Sequence, residues 1–211
     1  MPLRVTLKLA TSLDGRIAMP SGESRWITGE AARAQGHRLR AGHEAILVGV
    51  ETVLADDPEL TVRFGEEGGD VAQPLRIVLD SRLRTPPSAK VASGNTLILT
   101  ATEPHPIGTA EVIHVASADG RPTIDAVLAA LAERNITSVL IEGGGQVAAS
   151  FIRAGCTDRL EWFRAPILLG AEGRPCIASL ALAKLGNAPK FRRLSAEPLG
   201  DDLWECYEAV R

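Results

Sequence analysis

The chain has 211 residues, 45% of them hydrophobic and 23% charged, the balance of a folded globular protein rather than a disordered one. Its 23 basic and 26 acidic residues give a net charge of −3, which argues against a broad nucleic-acid-binding face. Cys156, Cys176 and Cys206 lie far apart with no CxxC pair, so neither a disulfide framework nor a zinc site is indicated, and they read as buried or indifferent thiols.

Val5, Leu7 and Leu9 alternate with Thr6 and Lys8, which predicts a first strand with one packed face. This opening has no signal-peptide core, and no apolar run reaches the roughly 18 residues of a membrane span, so a cytoplasmic protein is expected. Residues 12–29 are rich in Ser, Gly and Pro and predict a loop with room for a short hairpin. Thr28 is expected to cap a helix from about Gly29 to Ala41, with Gly42 ending it. Ala45 to Gly49 reads as a short buried strand, and Val50 to Ala55 as one or two helical turns before Asp56, Asp57 and Pro58.

Gly65 to Asp70 reads as an acidic, glycine-rich surface loop. The β-branched apolar runs Leu75 to Leu79, Thr96 to Thr100 and Glu111 to Val115 have strand length. The clearest helix follows Pro122 and Thr123, with Ile124, Val127, Leu128 and Leu131 spaced as one helical face. Ser138 to Ile141 is a further buried strand. It runs through Glu142, Gly143, Gly144 and Gly145 into a helix to Ala154 that Gly155 stops. Arg159 to Ala165 is a strand, and Phe191 to Ala196 and Leu203 to Val210 form a long hairpin turning over Pro198 to Asp202. The pattern predicts one domain, residues 1–211, of α/β class. Its sheet is mostly parallel, with helices on both faces and an antiparallel C-terminal edge hairpin.

The strand, three glycines and helix around Glu142 form the strongest chemical signal. Free N–H groups at such a helix start, unobstructed by Cβ atoms, suit a phosphate or pyrophosphate. The same glycines also suit a tight turn that binds nothing, and they are not a GxGxxG fingerprint. Glu142 stands at the carboxyl edge of the sheet, where α/β folds place ligands, or else is a solvated strand end. Arg16, Arg25 and Trp26 lie in a glycine-rich loop that can present a stacking surface, although a core plug is the more frequent role of a lone tryptophan. Arg33, Arg38 and Arg40 on one helix, with Arg63, either decorate a solvated face or hold a phosphate. Asp56 and Asp57 are adjacent carboxylates without metal-like neighbours. The histidines His37, His43, His105 and His114 have no metal spacing and read as structural or exposed.

Taken in order, Lys8-Leu-Ala-Thr-Ser12-Leu-Asp-Gly15-Arg, Gly22-Glu-Ser-Arg-Trp-Ile-Thr28, Thr52-Val-Leu-Ala-Asp-Asp-Pro58, Leu60-Thr-Val-Arg63, Leu79-Asp-Ser-Arg82 and Ile141-Glu-Gly-Gly144 carry a resemblance. The chain resembles the C-terminal reductase domain of the bifunctional riboflavin-biosynthesis deaminase–reductases, over nearly its whole length. That resemblance implies a dihydrofolate-reductase-like fold. It also implies NADPH-dependent reduction of 5-amino-6-(5-phosphoribosylamino)uracil to the ribitylamino compound. By position it implies cofactor contacts at Ala10, Trp26, Thr52, Asp56 and Ser81 and along Gly144, Gly145, Gln146, Val147, Ala148, Ala149 and Ser150. Ser81 and Arg82 are expected at the 2′-phosphate. Substrate contacts are implied at Ser24, Arg40, Leu60, Arg63 and Glu142, with Arg40 and Arg63 at the ribose phosphate. Lys8 and Asp56 are the charged groups expected near the reacting carbon. The zinc-deaminase signatures, HxE and PCxxC, do not occur here, so no deamination is expected of these residues. Two other functions fit the sequence: a related reductase of another pterin or pyrimidine, and a nucleotide-binding module without turnover. A homodimer is expected, through sheet edges or the final hairpin, with no nucleic-acid or membrane partner.

Overall fold

The structure is a computed structural model and describes residues 3–64 and 71–211; the acidic loop expected over 65–70 lies outside the described residues. In chain order the elements are β1 (Arg4–Thr11), β2 (Arg16–Ala18), α1 (Glu30–Ala41), β3 (Ala45–Gly49), α2 (Val50–Asp56), β4 (Leu75–Leu79), β5 (Thr96–Thr100), β6 (Glu111–His114), β7 (Ser117–Ala118) and β8 (Arg121–Pro122). They continue with α3 (Ile124–Glu133), β9 (Ser138–Glu142), α4 (Gly145–Arg153), β10 (Arg159–Arg164), β11 (Arg174–Pro175), β12 (Phe191–Leu199) and β13 (Asp202–Ala209). Two compact units result, one of Met1–Arg4 with His37–Leu140 and one of Val5–Gly36 with Ile141–Arg211.

In the first unit β3, β4, β5 and β6 pair in parallel, in that order. Parallel strands covered on both faces should be apolar at every position, and β3 and β5 are buried throughout. The register aligns Val48 with Val78 and Val78 with Ile98. These three join Ile46, the α2 residues Val50 and Val53, Leu60, Val91 and Ile107 in one apolar cluster. The alternate stripe, Leu47, Ile77 and Leu97, is also fully buried. Each such side chain contributes about 1.5–3 kcal/mol on burial. α3 begins as its sequence predicts, with Thr123 Oγ1 accepting from Ala126 N at 3.3 Å and with Val127, Ala130 and Leu131 buried.

In the second unit β1 runs parallel to β10, whereas β13 is antiparallel to both β10 and β12. The mostly parallel sheet with an antiparallel C-terminal edge is therefore as expected. The terminal hairpin is longer and tighter than the sequence suggests. Leu199 pairs with Asp202, which leaves Gly200 and Asp201 as a two-residue turn with Gly200 at φ +65. The short hairpin expected within residues 12–29 does not form locally. β2 pairs instead with β11, far along the chain. At the start of α1, Gly29 N donates to Asp202 Oδ2 at 2.7 Å, so a hairpin-turn carboxylate meets the helix start that Thr28 was expected to cap.

Candidate active site

The residues singled out in the sequence divide between the two units. In the second unit Lys8 on β1 and Glu142 at the end of β9 form an ion pair, Nζ to Oε2, at 3.6 Å. Glu142 is only 7% exposed, so it is not a solvated strand end. A buried carboxylate persists when charged partners compensate its desolvation, and Lys8 is such a partner. Ala10 lies two residues beyond Lys8 and so on the same face of β1, half-buried.

Glu142 leads directly into Gly143 and Gly144, at φ +82 and +80, conformations that side chains with a Cβ adopt only under strain. Gly144 is the N-cap of α4 and supplies no side-chain cap. The first intrahelical bond there is Ala148 N to Gly144 O, at 3.1 Å. Helix geometry therefore leaves the N–H groups of Gly145, Gln146 and Val147 as the donors without an intrahelical acceptor, the kind of helix start that suits an anion. Further along the expected cofactor stretch, Ala148 and Ala149 have buried side chains, and Ser150 Oγ turns back to Gln146 O at 2.9 Å. Those three positions support the helix rather than face a ligand with their side chains. Gly145 has a packing reason of its own: a Cβ there would stand 2.5 Å from Pro175 O, and its carbonyl accepts from Ala178 N at 2.9 Å.

The loop between β2 and α1 carries Ser24 and Trp26. Trp26 is 69% exposed, so it is not a core plug, and the Arg33 guanidinium lies 4.5 Å from its ring centroid. Asp14, in the neighbouring Leu13-Asp14-Gly15-Arg16 cluster, is a loop staple. It accepts from Ser12 Oγ at 2.5 Å, Leu169 N at 3.1 Å and Gly170 N at 2.8 Å. These bonds, the Ser12 hydroxyl foremost, lower its pKa from 3.8 to about 2. A depressed carboxylate stabilises the fold above its unfolded pKa and loses that contribution as pH falls through the folded value. The melting-temperature deficit of Asp14→Asn is therefore expected to be full above about pH 4 and to vanish on acidification towards about pH 2. A deficit unchanged over that range would show that the staple does not depend on charge.

In the first unit Thr52 and Asp56 stand four residues apart on α2, hence on one face, and both are half-buried. Asp57 points elsewhere, into a bond from Lys90 N at 2.9 Å, so the two carboxylates do not act together. Leu60, expected as a substrate contact, is 3% exposed within the apolar cluster, so only its backbone is available to a ligand. Arg40 Nη1 donates to Thr61 O at 2.9 Å, and Arg63 N to His37 Nδ1 at 3.2 Å, which ties the segment carrying Arg63 to α1. The exposed Arg63 guanidinium is engaged by Glu59. Ser81 and the exposed Arg82 follow Asp80, which sequence reasoning passed over. Asp80 is fully buried, accepts from Thr85 N and Oγ1 at 2.7 Å each, and shapes the loop. A strand-end Asp with a hydroxyl a few residues on is a turn signal that would have found it. The histidines behave as expected: His37 and His43 bond backbone, and His105 and His114 are exposed.

Over residues 4–204 the sequence matches the family described as the RibD C-terminal domain. The chain is similar to the riboflavin biosynthesis protein RibD of Bacillus amyloliquefaciens, at 43% identity over 208 residues, covering 94% of this chain and 55% of the relative. It thus spans about half the length of that curated relative. Among solved structures it is similar to a diaminohydroxyphosphoribosylaminopyrimidine deaminase/5-amino-6-(5-phosphoribosylamino)uracil reductase from Thermotoga maritima. The TM-score is 0.84 at 30% identity, over 99% of this chain and 57% of that one. Its fold is also similar to that of a dihydrofolate reductase from Enterococcus faecalis, with a TM-score of 0.57 at 14% identity over 99% of this chain and 97% of that one. The expected architecture is borne out, and the chain belongs to the RibD C-terminal domain family.

Proposed function

We propose that this chain reduces 5-amino-6-(5-phosphoribosylamino)uracil to its ribitylamino product with NADPH, as one reductase domain. The observation that carries the reading is the ion pair of half-buried Lys8 with buried Glu142, which runs straight into a glycine turn and a helix start without a side-chain cap. The residues fit a dinucleotide. In the second unit the α4 N-terminus suits its pyrophosphate and the exposed Trp26 ring a stacked or edge contact. The resemblance assigns Thr52, Asp56, Ser81 and Arg82 of the first unit to the cofactor as well. NADPH, when bound, supplies the hydride for the ribose C1′ carbon. Glu142 orients Lys8 through their ion pair, and Lys8 is the proton source for the amine nitrogen of the opened sugar. The resemblance adds Ser24 in the second unit as a polar substrate contact and Asp56 in the first unit as a charged group for the reaction, and it assigns Arg40 and Arg63 to the substrate phosphate. A cytoplasmic homodimer belongs to the same reading, supported by the position of β12 at the end of its sheet. Among the described residues no helix is long and apolar enough to cross a membrane.

The direct test follows NADPH absorbance with the phosphorylated ribosylamino-pyrimidine, its dephosphorylated form and dihydrofolate. Turnover of the first alone, with NADPH preferred over NADH, is the expected result; turnover of dihydrofolate instead would replace the reading. Arg63→Ala is expected to raise KM for the phosphorylated substrate about tenfold and to leave NADPH affinity unchanged. That is the low end for a guanidinium–phosphate bond, because the phosphate must displace Glu59 from Arg63. Steady-state kinetics on both cosubstrates checks it. An effect on NADPH alone would reverse the placement of the two ligands.

A further inference from the structure

An exposed tryptophan ring has little packing to hold it, yet a recognition surface needs it in one place. Around Trp26 the chain supplies that hold by other means. Ile27 N donates to Ser24 O at 3.2 Å, closing a turn over the tryptophan. Gly29 N is fixed to Asp202 Oδ2 at 2.7 Å, which anchors the far end of the loop. Between them Arg33, one turn into α1, does two things at once. Its Nη1 donates to Thr28 O at 2.9 Å, and its guanidinium carbon sits 4.5 Å from the Trp26 ring centroid, against 5.9 Å for Arg25. A planar cation at that distance is attracted by the ring's negative face. The backbone bond fixes where the cation stands, so the ring is held against a fixed support while remaining 69% exposed.

We propose that Arg33 is a positioning residue that holds Trp26 in the orientation in which the indole meets the nicotinamide dinucleotide. The inference rests on the reading of Trp26 as a cofactor contact. It assigns Arg33 no contact of its own with the cofactor: the arginine acts through the ring, by pre-ordering a side chain that would otherwise lose its freedom on binding.

The test is a double-mutant cycle on NADPH affinity, measured by titration calorimetry for wild type, Trp26→Ala, Arg33→Ala and the double variant. Arg33→Ala is expected to weaken binding about three- to tenfold, the range of a partly exposed cation–π contact. The double variant should bind no more weakly than Trp26→Ala alone. The part of the emission that disappears in Trp26→Phe should also become more accessible to acrylamide in Arg33→Ala. Arg33→Lys keeps the charge and a donor for Thr28 O without the planar stack, and should restore only part of the affinity. If Trp26→Ala weakens binding and Arg33→Ala does not, the positioning role is overturned. Additive losses in the double variant overturn it as well, since Arg33 would then act on the cofactor directly. If Trp26→Ala itself leaves NADPH binding intact, the cofactor reading of Trp26 fails, an outcome distinct from the other two.

Discussion

Lys8→Met is expected to lower turnover by about a hundred- to ten-thousandfold, the range for loss of a positioned proton donor, with NADPH affinity close to wild type. Lys8 is the cation that meets Glu142, and Glu142 is too buried to be compensated by water alone. The substitution therefore has a second consequence, in stability. Removing Lys8 takes an opposite charge from beside a buried carboxylate, at a cost of roughly 2–3 kcal/mol. The two effects separate in the variant Lys8→Met/Glu142→Leu, where apolar groups replace both charges. Its melting temperature should recover much of the loss, while turnover should stay as low as in Lys8→Met or lower. Single-turnover kinetics beside thermal melts decides the matter. A Lys8→Met enzyme that is merely less stable, with its hydride-transfer rate intact, would reduce the pair to a structural element.

The parts of the fold that were legible in the sequence are those whose signal is local. β3 and β5 are continuous apolar runs because both faces of a parallel strand are buried, and periodicity alone records that. α3 announces itself through Thr123 as cap and through the spacing of Val127 and Leu131. The glycine turn was legible for a similar reason, since residues that must take positive φ are punctuated by type. What was not legible depends on partners remote in the chain. β2 and β11 are three and two residues long, too short to carry a period, and they find each other only in the folded state. The same holds for the residues around the site. Leu60 reads as one of an ordered motif, yet its burial is decided by Val48, Val78 and Ile98, none of them adjacent in sequence. Trp26 shows the opposite displacement. Its type predicts the core, and an arginine one turn into the next helix holds it at the surface instead. Family resemblance implies cofactor contacts along residues 144–150 by position alone. It did not distinguish the donors at the start of α4 from the buried alanines behind them, because that distinction lies in helix geometry.

Gly144→Val is expected to weaken NADPH binding about ten- to a hundredfold, the worth of about one charge-assisted bond to a phosphate oxygen. Two mechanisms act together. At φ +80 and ψ 106 a β-branched residue is strained, so the turn relaxes and the N–H groups that follow it lose their aim. On the reading of the α4 start as a phosphate site, added methyl groups at the residue preceding the helix also crowd the phosphate's approach. Strain alone would lower the melting temperature of any variant of this kind, so a control at a second positive-φ glycine is needed. Gly120 provides it: at φ +68 it has nothing within 4 Å of an added Cβ, and it lies in the turn between β7 and β8. Gly120→Val should cost stability of the same order, about 1–3 kcal/mol, and leave cofactor affinity as in the wild type. Gly145→Ala makes a third case. Its Cβ would press on Pro175 O, so it should damage folding through the packing of the α4 start against Pro175 and Ala178, at a position whose φ is not positive. Calorimetric titration with NADPH and thermal melts on all three variants give the comparison. If Gly144→Val binds the cofactor as tightly as Gly120→Val does, the turn after Glu142 is only a tight connection between β9 and α4, and the pyrophosphate must be sought elsewhere.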